Sequence, residues 1–130
     1  MRRKLPSGLG LIAVAMVSLL ITACHSRHVE LSIQNQTGTA IQLLEVDYPS
    51  ASFGADKLAA GATFRYRIQV EGNGPLTVMY TAPSGMQVKM QGPDLSNMQR
   101  GRVDIVLLPN GKAEFHPQLS TGEPLPNKWH

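Results

Sequence analysis

Few side chains in this chain of 130 residues could carry out chemistry, and most of them stand alone. Cys24 is the one cysteine, so the chain offers it no partner for a disulfide. The four histidines are scattered: His25 and His28 follow the cysteine, His116 lies far downstream and His130 ends the chain. Met79, Met86, Met90 and Met98 are the methionines beyond Cys24. Thioether and imidazole together suit copper(I), which makes Met98 and His116 the candidate ligands of a soft-metal site. Met86 and Met90 share strand parity about 13 Å apart at the usual rise, too far to hold one ion without a bend. They are expected to face the core as adaptable packing residues. No hydrolase elbow, phosphate-binding glycine loop or metalloprotease helix occurs. An enzyme here would be one without a recognisable motif.

The remaining candidates are binding groups rather than reactive ones. Arg65 and Arg67 fall on one face of an alternating run, as an anion-binding patch or as a solvated face with carboxylate partners such as Glu45 or Asp104. Tyr48 and Phe53 stand in "YPSASFG", a segment that otherwise reads as surface. Aromatic residues on loops of rigid β scaffolds serve partners, or they plug the open end of a sandwich. Trp129, in the last residues of the chain, is a third partner-binding candidate. Asn35-Gln36-Thr37 matches the glycosylation sequon, but "NQTG" is also a turn signal, and the turn accounts for it.

What positions these groups begins with a leader. The formal charge of +3 is concentrated in Arg2, Arg3 and Lys4; beyond Cys24, nine Lys/Arg face nine Asp/Glu. A nucleic-acid reader clusters its positive charge on the folded domain, and this one does not, so no nucleic-acid partner is expected. Gly8 to Ala23 is a run of sixteen residues without a charge. As a helix it would span roughly 24 Å, short of the ~30 Å hydrocarbon core. A basic opening, a short apolar run and small residues at its end make a secretory signal segment, residues 1–23.

The junction "ITAC", Ile21 to Cys24, resembles the lipobox of bacterial lipoproteins. The resemblance covers only the first 24 residues. It implies that a diacylglycerol is joined to the Cys24 sulfur and that signal peptidase II cuts before it, leaving Cys24 as the acylated first residue. Two or three acyl chains make a stable anchor where one is marginal. His25 is not the Asp that retains many such lipoproteins in the inner membrane, so the resemblance implies the outer membrane, facing the periplasm. Residues 24–28 form a short linker that holds the domain within about 15 Å of the lipid.

From Val29 onward the period is two. Val29, Leu31 and Ile33 alternate with Glu30, Ser32 and Gln34; Phe64, Tyr66, Ile68 and Val70 alternate with Arg65, Arg67 and Gln69. Asn110-Gly111 fits a primed two-residue hairpin turn. The apolar parity changes between Leu43 and Leu44, which predicts a bulge. Val103, Ile105 and Leu107 fill one face of their strand while Val106 and Leu108 occupy the other, so that strand is expected to be central. Tyr48 to Ala62 is expected to be a long crossover loop, and 117–130 a proline-rich mobile tail. The fold class that follows is all-β: an antiparallel immunoglobulin-like or transthyretin-like β-sandwich of about seven strands over 29–116, after a signal helix. A small closed barrel is the alternative. The expected function is that of a lipid-anchored, noncatalytic interaction or structural module with an envelope protein partner and no cofactor. Soft-metal handling in the periplasm is the alternative.

Overall fold

The computed structural model describes residues 27–120 and is an all-β sandwich. Its strands are β1 Val29–Asn35, β2 Ile41–Tyr48, β3 Ala51–Leu58, β4 Thr63–Ile68, β5 Gly74–Thr81, β6 Gln87–Leu95, β7 Arg100–Leu108 and β8 Lys112–Ser120. One sheet has the order β4-β1-β7-β8 and the other β3-β2-β5-β6. All pairings are antiparallel except β1 with β7, which run parallel. The expected signal segment, residues 1–23, with Cys24 and Trp129, lies outside the described residues.

Alternation builds the core. Val29, Leu31 and Ile33 from β1 meet Val103, Ile105 and Leu107 from β7, all essentially without exposure. Leu44 and Val46 from β2 and Leu76, Val78 and Tyr80 from β5 face them. Each such aliphatic side chain contributes about 1.5–3 kcal/mol of burial, far more than any surface contact described below. As expected, β7 is internal, and its outward Val106 and Leu108 are half-buried.

The predicted bulge is present. Leu43 has φ 52, and the β2–β5 register shifts between Gln42 and Glu45. Leu43 is turned out, 63% exposed, while Leu44 is buried. Asn110 and Gly111 both take positive φ, as a primed turn requires, but the hairpin closes between Leu108 and Lys112. Pro109 cannot donate to the ladder, so the loop has three residues, Pro109–Gly111.

Three expectations need correction. The segment 48–62 is not a crossover loop: Tyr48 pairs with Ala51 across a tight turn, and β3 runs back along β2. Poor strand formers at Ala51, Gly54, Ala55 and Asp56 conceal that strand; pairing overrides propensity. Pro117 to Ser120 belong to β8, not to a tail, with Val103 opposite Pro117 and Arg100 opposite Ser120. β8 is an edge strand, and an edge accommodates a proline. Met86 does not face the core; it is 66% exposed beside the start of β6, whereas Met90 does pack against the core.

Val29 pairs with Ile68 and Gly101, and Arg100 with Ser120, so both ends of the described chain leave at one end of the sandwich. The loops 36–40, 59–62, 82–86 and 109–111 gather at the other, distal end.

Candidate functional site

Two flanks of a sandwich lie open between the sheet edges, and aromatic side chains close both here. Phe53 on β3 stacks on Tyr66 of β4 with ring centroids 4.2 Å apart and planes at 12°. Phe64 lies 6.0 Å from Phe53, and Tyr48 sits tilted at 6.3 Å. Tyr48 and Phe53 are thus strand residues joined in a stack that fills the β3–β4 gap, along a flank of the sandwich rather than at its open end. Tyr66 is the outermost ring, 46% exposed because β4 is an edge. On the opposite flank Phe115 of β8 lies over Gly92, where a Cβ would come within 2.6 Å of its ring. Phe53→Ala is expected to lower stability by about 3 kcal/mol, near the lower end for a half-buried aromatic, read as a urea midpoint. Tyr66→Ala should cost less, since much of that ring is already wet.

With the aromatic side chains occupied at the flanks, polar chemistry concentrates on the outer face of the β4-β1-β7-β8 sheet. Strand register arranges it in two rows. One runs Arg67, Glu30, Arg102 across β4, β1 and β7; the next runs Arg65, Ser32, Asp104, His116 across all four strands. Together the residues of β4, β1 and β7 line a shallow groove of about 640 Å³. Arg67 pairs with Glu30 at 2.9 Å. Arg102 donates to both carboxylate oxygens of Asp104, at 3.1 and 3.0 Å, and the Ser32 hydroxyl donates to Asp104 Oδ1 at 2.7 Å. These pairs are exposed and contribute about 0–1 kcal/mol each. Arg65 makes no ion pair among the described residues. Glu45, an expected partner of the arginines, stands on β2 in the other sheet.

The Ser32 hydroxyl holds the Asp104 carboxyl below its ordinary value of 3.8, and the Arg102 guanidinium adds to the effect. A carboxyl depressed in the folded state stabilises fully above that ordinary value, and the contribution is lost as pH falls through the folded one. Ser32→Ala should therefore move the Asp104 titration upward, as followed by carboxyl NMR shifts, and its small stability cost should be present at neutral pH and vanish as pH falls through the folded value. On the other sheet Glu45 is pushed the opposite way, chiefly by its hydrogen bond with Asp47 and then by that residue's charge.

The serine row does not form a nucleophile. In a Ser-His-Asp arrangement the imidazole stands between hydroxyl and carboxylate. Here the carboxylate is in the middle, and His116 Nε2 faces Glu114 at 3.2 Å. Nor do the two soft-metal candidates meet. Met98 sulfur accepts a long hydrogen bond from Gln69 near the end of β4, and His116 is on β8 at the opposite edge of that sheet. Among the described residues no group of three or more His, Cys, Asp or Glu could hold a metal ion.

Sequence patterning found Arg65, Arg67 and Asp104 but not their setting, for Asp104 pairs with Arg102 rather than with either of them. Glu30, Ser32 and Arg102 join them because β1 lies between β4 and β7, a neighbourhood that spans most of the chain. The outward parity of Glu30 and Ser32 is the one local sign of it.

No protein-family model matches the chain, and no curated protein matches it. Among solved structures the fold is similar to the NMR structure of a protein from Eubacterium rectale, with a TM-score of 0.50, 16% identity, and coverage of 78% of this chain and 94% of that one. At that identity the likeness is one of fold alone.

Proposed function

We propose that this chain is a lipid-anchored, noncatalytic envelope lipoprotein whose β-sandwich binds a protein partner on the periplasmic side, through the outer face of β4, β1 and β7. The anchor is Cys24, on the strength of its lipobox resemblance, and the outer membrane is the favoured location. The observation that carries the interaction reading is Arg65. It is an exposed guanidinium with no carboxylate partner among the described residues, on a groove where three arginines face Glu30 and Asp104. A carboxylate or sheet-edge carbonyl from a partner would complete it, and charge complementarity of this kind sets orientation and on-rate. The neighbouring β4 carries no proline and is an edge strand among the described residues, which suits it to strand addition.

The test is crosslinking in intact cells followed by mass spectrometry of what is joined to the tagged protein. The expected result is one abundant partner whose capture falls about tenfold or more in Arg65→Glu, the effect of reversing one interfacial charge. Unchanged capture in that variant would remove this face from the proposal, and loss in Trp129→Ala instead would move the interface to the last residues of the chain. Fractionation of Cys24→Ser checks the anchor: processed protein that stays in detergent-extracted membranes as the parent does would refute lipidation at that residue.

A further inference from the structure

Tyr80 is the aromatic side chain of the described residues that neither flank uses. It ends the buried run Leu76, Val78, Tyr80 on the inner face of β5, at the distal end of the sandwich, and is 3% exposed. Its hydroxyl makes no hydrogen bond to any described residue. Every fully buried side-chain nitrogen or oxygen among the described residues has a partner, so this hydroxyl must reach solvent. The opening that Tyr80 lines is a cleft of about 540 Å³ between the distal loops. Burial raises the tyrosine's pKa, so it stays a neutral donor over the whole physiological range.

The walls define what fits. Ile41, Val88, Met86, Pro83 and Pro109 are apolar, and Thr37, Thr39 and Asn110 supply the rim's polar groups. Among the described residues no acidic or basic side chain lines the cleft, so a charged ligand would be desolvated there without a counter-ion from them. One wall is rigid, because the buried Asn35 amide accepts from Thr37 and donates to the Thr39 carbonyl. The other lip is the exposed Met86, an unbranched thioether able to adapt to a ligand's shape. A concavity of this size with apolar walls and a few convergent polar groups is the usual form of a small-molecule site.

We infer that the distal cleft is a binding site for an uncharged amphipathic small molecule, whose apolar body lies against Met86 and Val88 and whose hydroxyl or carbonyl pairs with the Tyr80 hydroxyl. The site is independent of the arginine face and of the anchor, and it faces away from the end at which Val29 joins the sheet.

The test uses full-length processed protein in a nonionic detergent, with methionine methyl groups labelled for NMR. The probe is 4-methylphenol, and 4-methylbenzoate is its charged counterpart. The expected result is a saturable shift of the Met86 methyl while Met98, at the opposite end, stays in place. In Tyr80→Phe the ring remains and the hydroxyl is lost, so binding should weaken about fivefold, the effect of one hydrogen bond. Met86→Glu, which alters an exposed lip and leaves the core intact, should also weaken the probe, and 4-methylbenzoate should bind at least tenfold more weakly than the phenol. No saturable Met86 shift overturns the proposal. So does an unchanged affinity in both variants, or equal binding of the carboxylate.

Discussion

Replacing Asn35 with alanine should lower stability by about 3–4 kcal/mol, because several backbone groups lose their partner together. Asn35 ends β1 fully buried. Its Nδ2 shares two hydrogens among the carbonyls of Thr39, Leu58 and Ala59, at 2.8, 3.0 and 3.1 Å. Its Oδ1 accepts from the Thr37 amide and hydroxyl, at 3.0 and 2.7 Å. One side chain thus ties the β1–β2 loop to the β3–β4 loop, which the backbone bonds between Asn35, Ala62 and Gly61 reinforce. Asn35→Asp should be as harmful, since a carboxylate would face the carbonyls that the amide now satisfies. Thermal unfolding would fall by roughly 15 °C for a domain of this size. A drop of only a few degrees would mean that water replaces the amide at no great cost. The same geometry disposes of the sequon, because the nitrogen that a glycan would occupy is buried and fully engaged.

Gly54→Ala is expected to be another severe change, at about 2–3 kcal/mol of overpacking, measured as a shift of the urea midpoint with the slope unchanged. Gly54 does not lie at positive φ, so its backbone would accept alanine. Such a replacement ordinarily stabilises by about 0.4–1 kcal/mol through the unfolded chain. Here the sign reverses, because the new methyl would overlap the carbonyl oxygen of Leu44. That oxygen belongs to the bulge that turns Leu43 outward, so β3 cannot back away without losing its pairing to β2. Gly38→Ala is the control: it has positive φ but open space around it, and should cost only about 1 kcal/mol of backbone strain.

The legible part of this fold is the part written in local alternation. The buried faces of β1, β5 and β7 and the Leu43 bulge all depend on parity within one strand, and parity is visible in sequence. β3 was hidden because it is held by β2 rather than by its own residues, with Gly54 present for close approach instead of propensity. Pro117 looked like a terminator because its tolerance depends on which neighbour it lacks, a fact of sheet order. The groove was half legible for the same reason. Arg65 and Arg67 share a face in any strand, but only the insertion of β1 between β4 and β7 sets Ser32 and Asp104 beside them. Tyr80 reads as plain core by parity; that its hydroxyl is left over follows from the distal loops alone.

The parallel placement of β7 beside β1 has a mechanical consequence. A load applied at Val29 and resisted at the distal loops runs along β1, while ladder hydrogen bonds lie across it on both sides. Those bonds share the force and must fail together, whereas a strand peeled from a sheet edge surrenders them one by one. Under the amino-terminal mooring proposed above, the domain would be gripped by a strand paired on both sides, so tension along that strand should break a contact at the distal loops before it draws out β1.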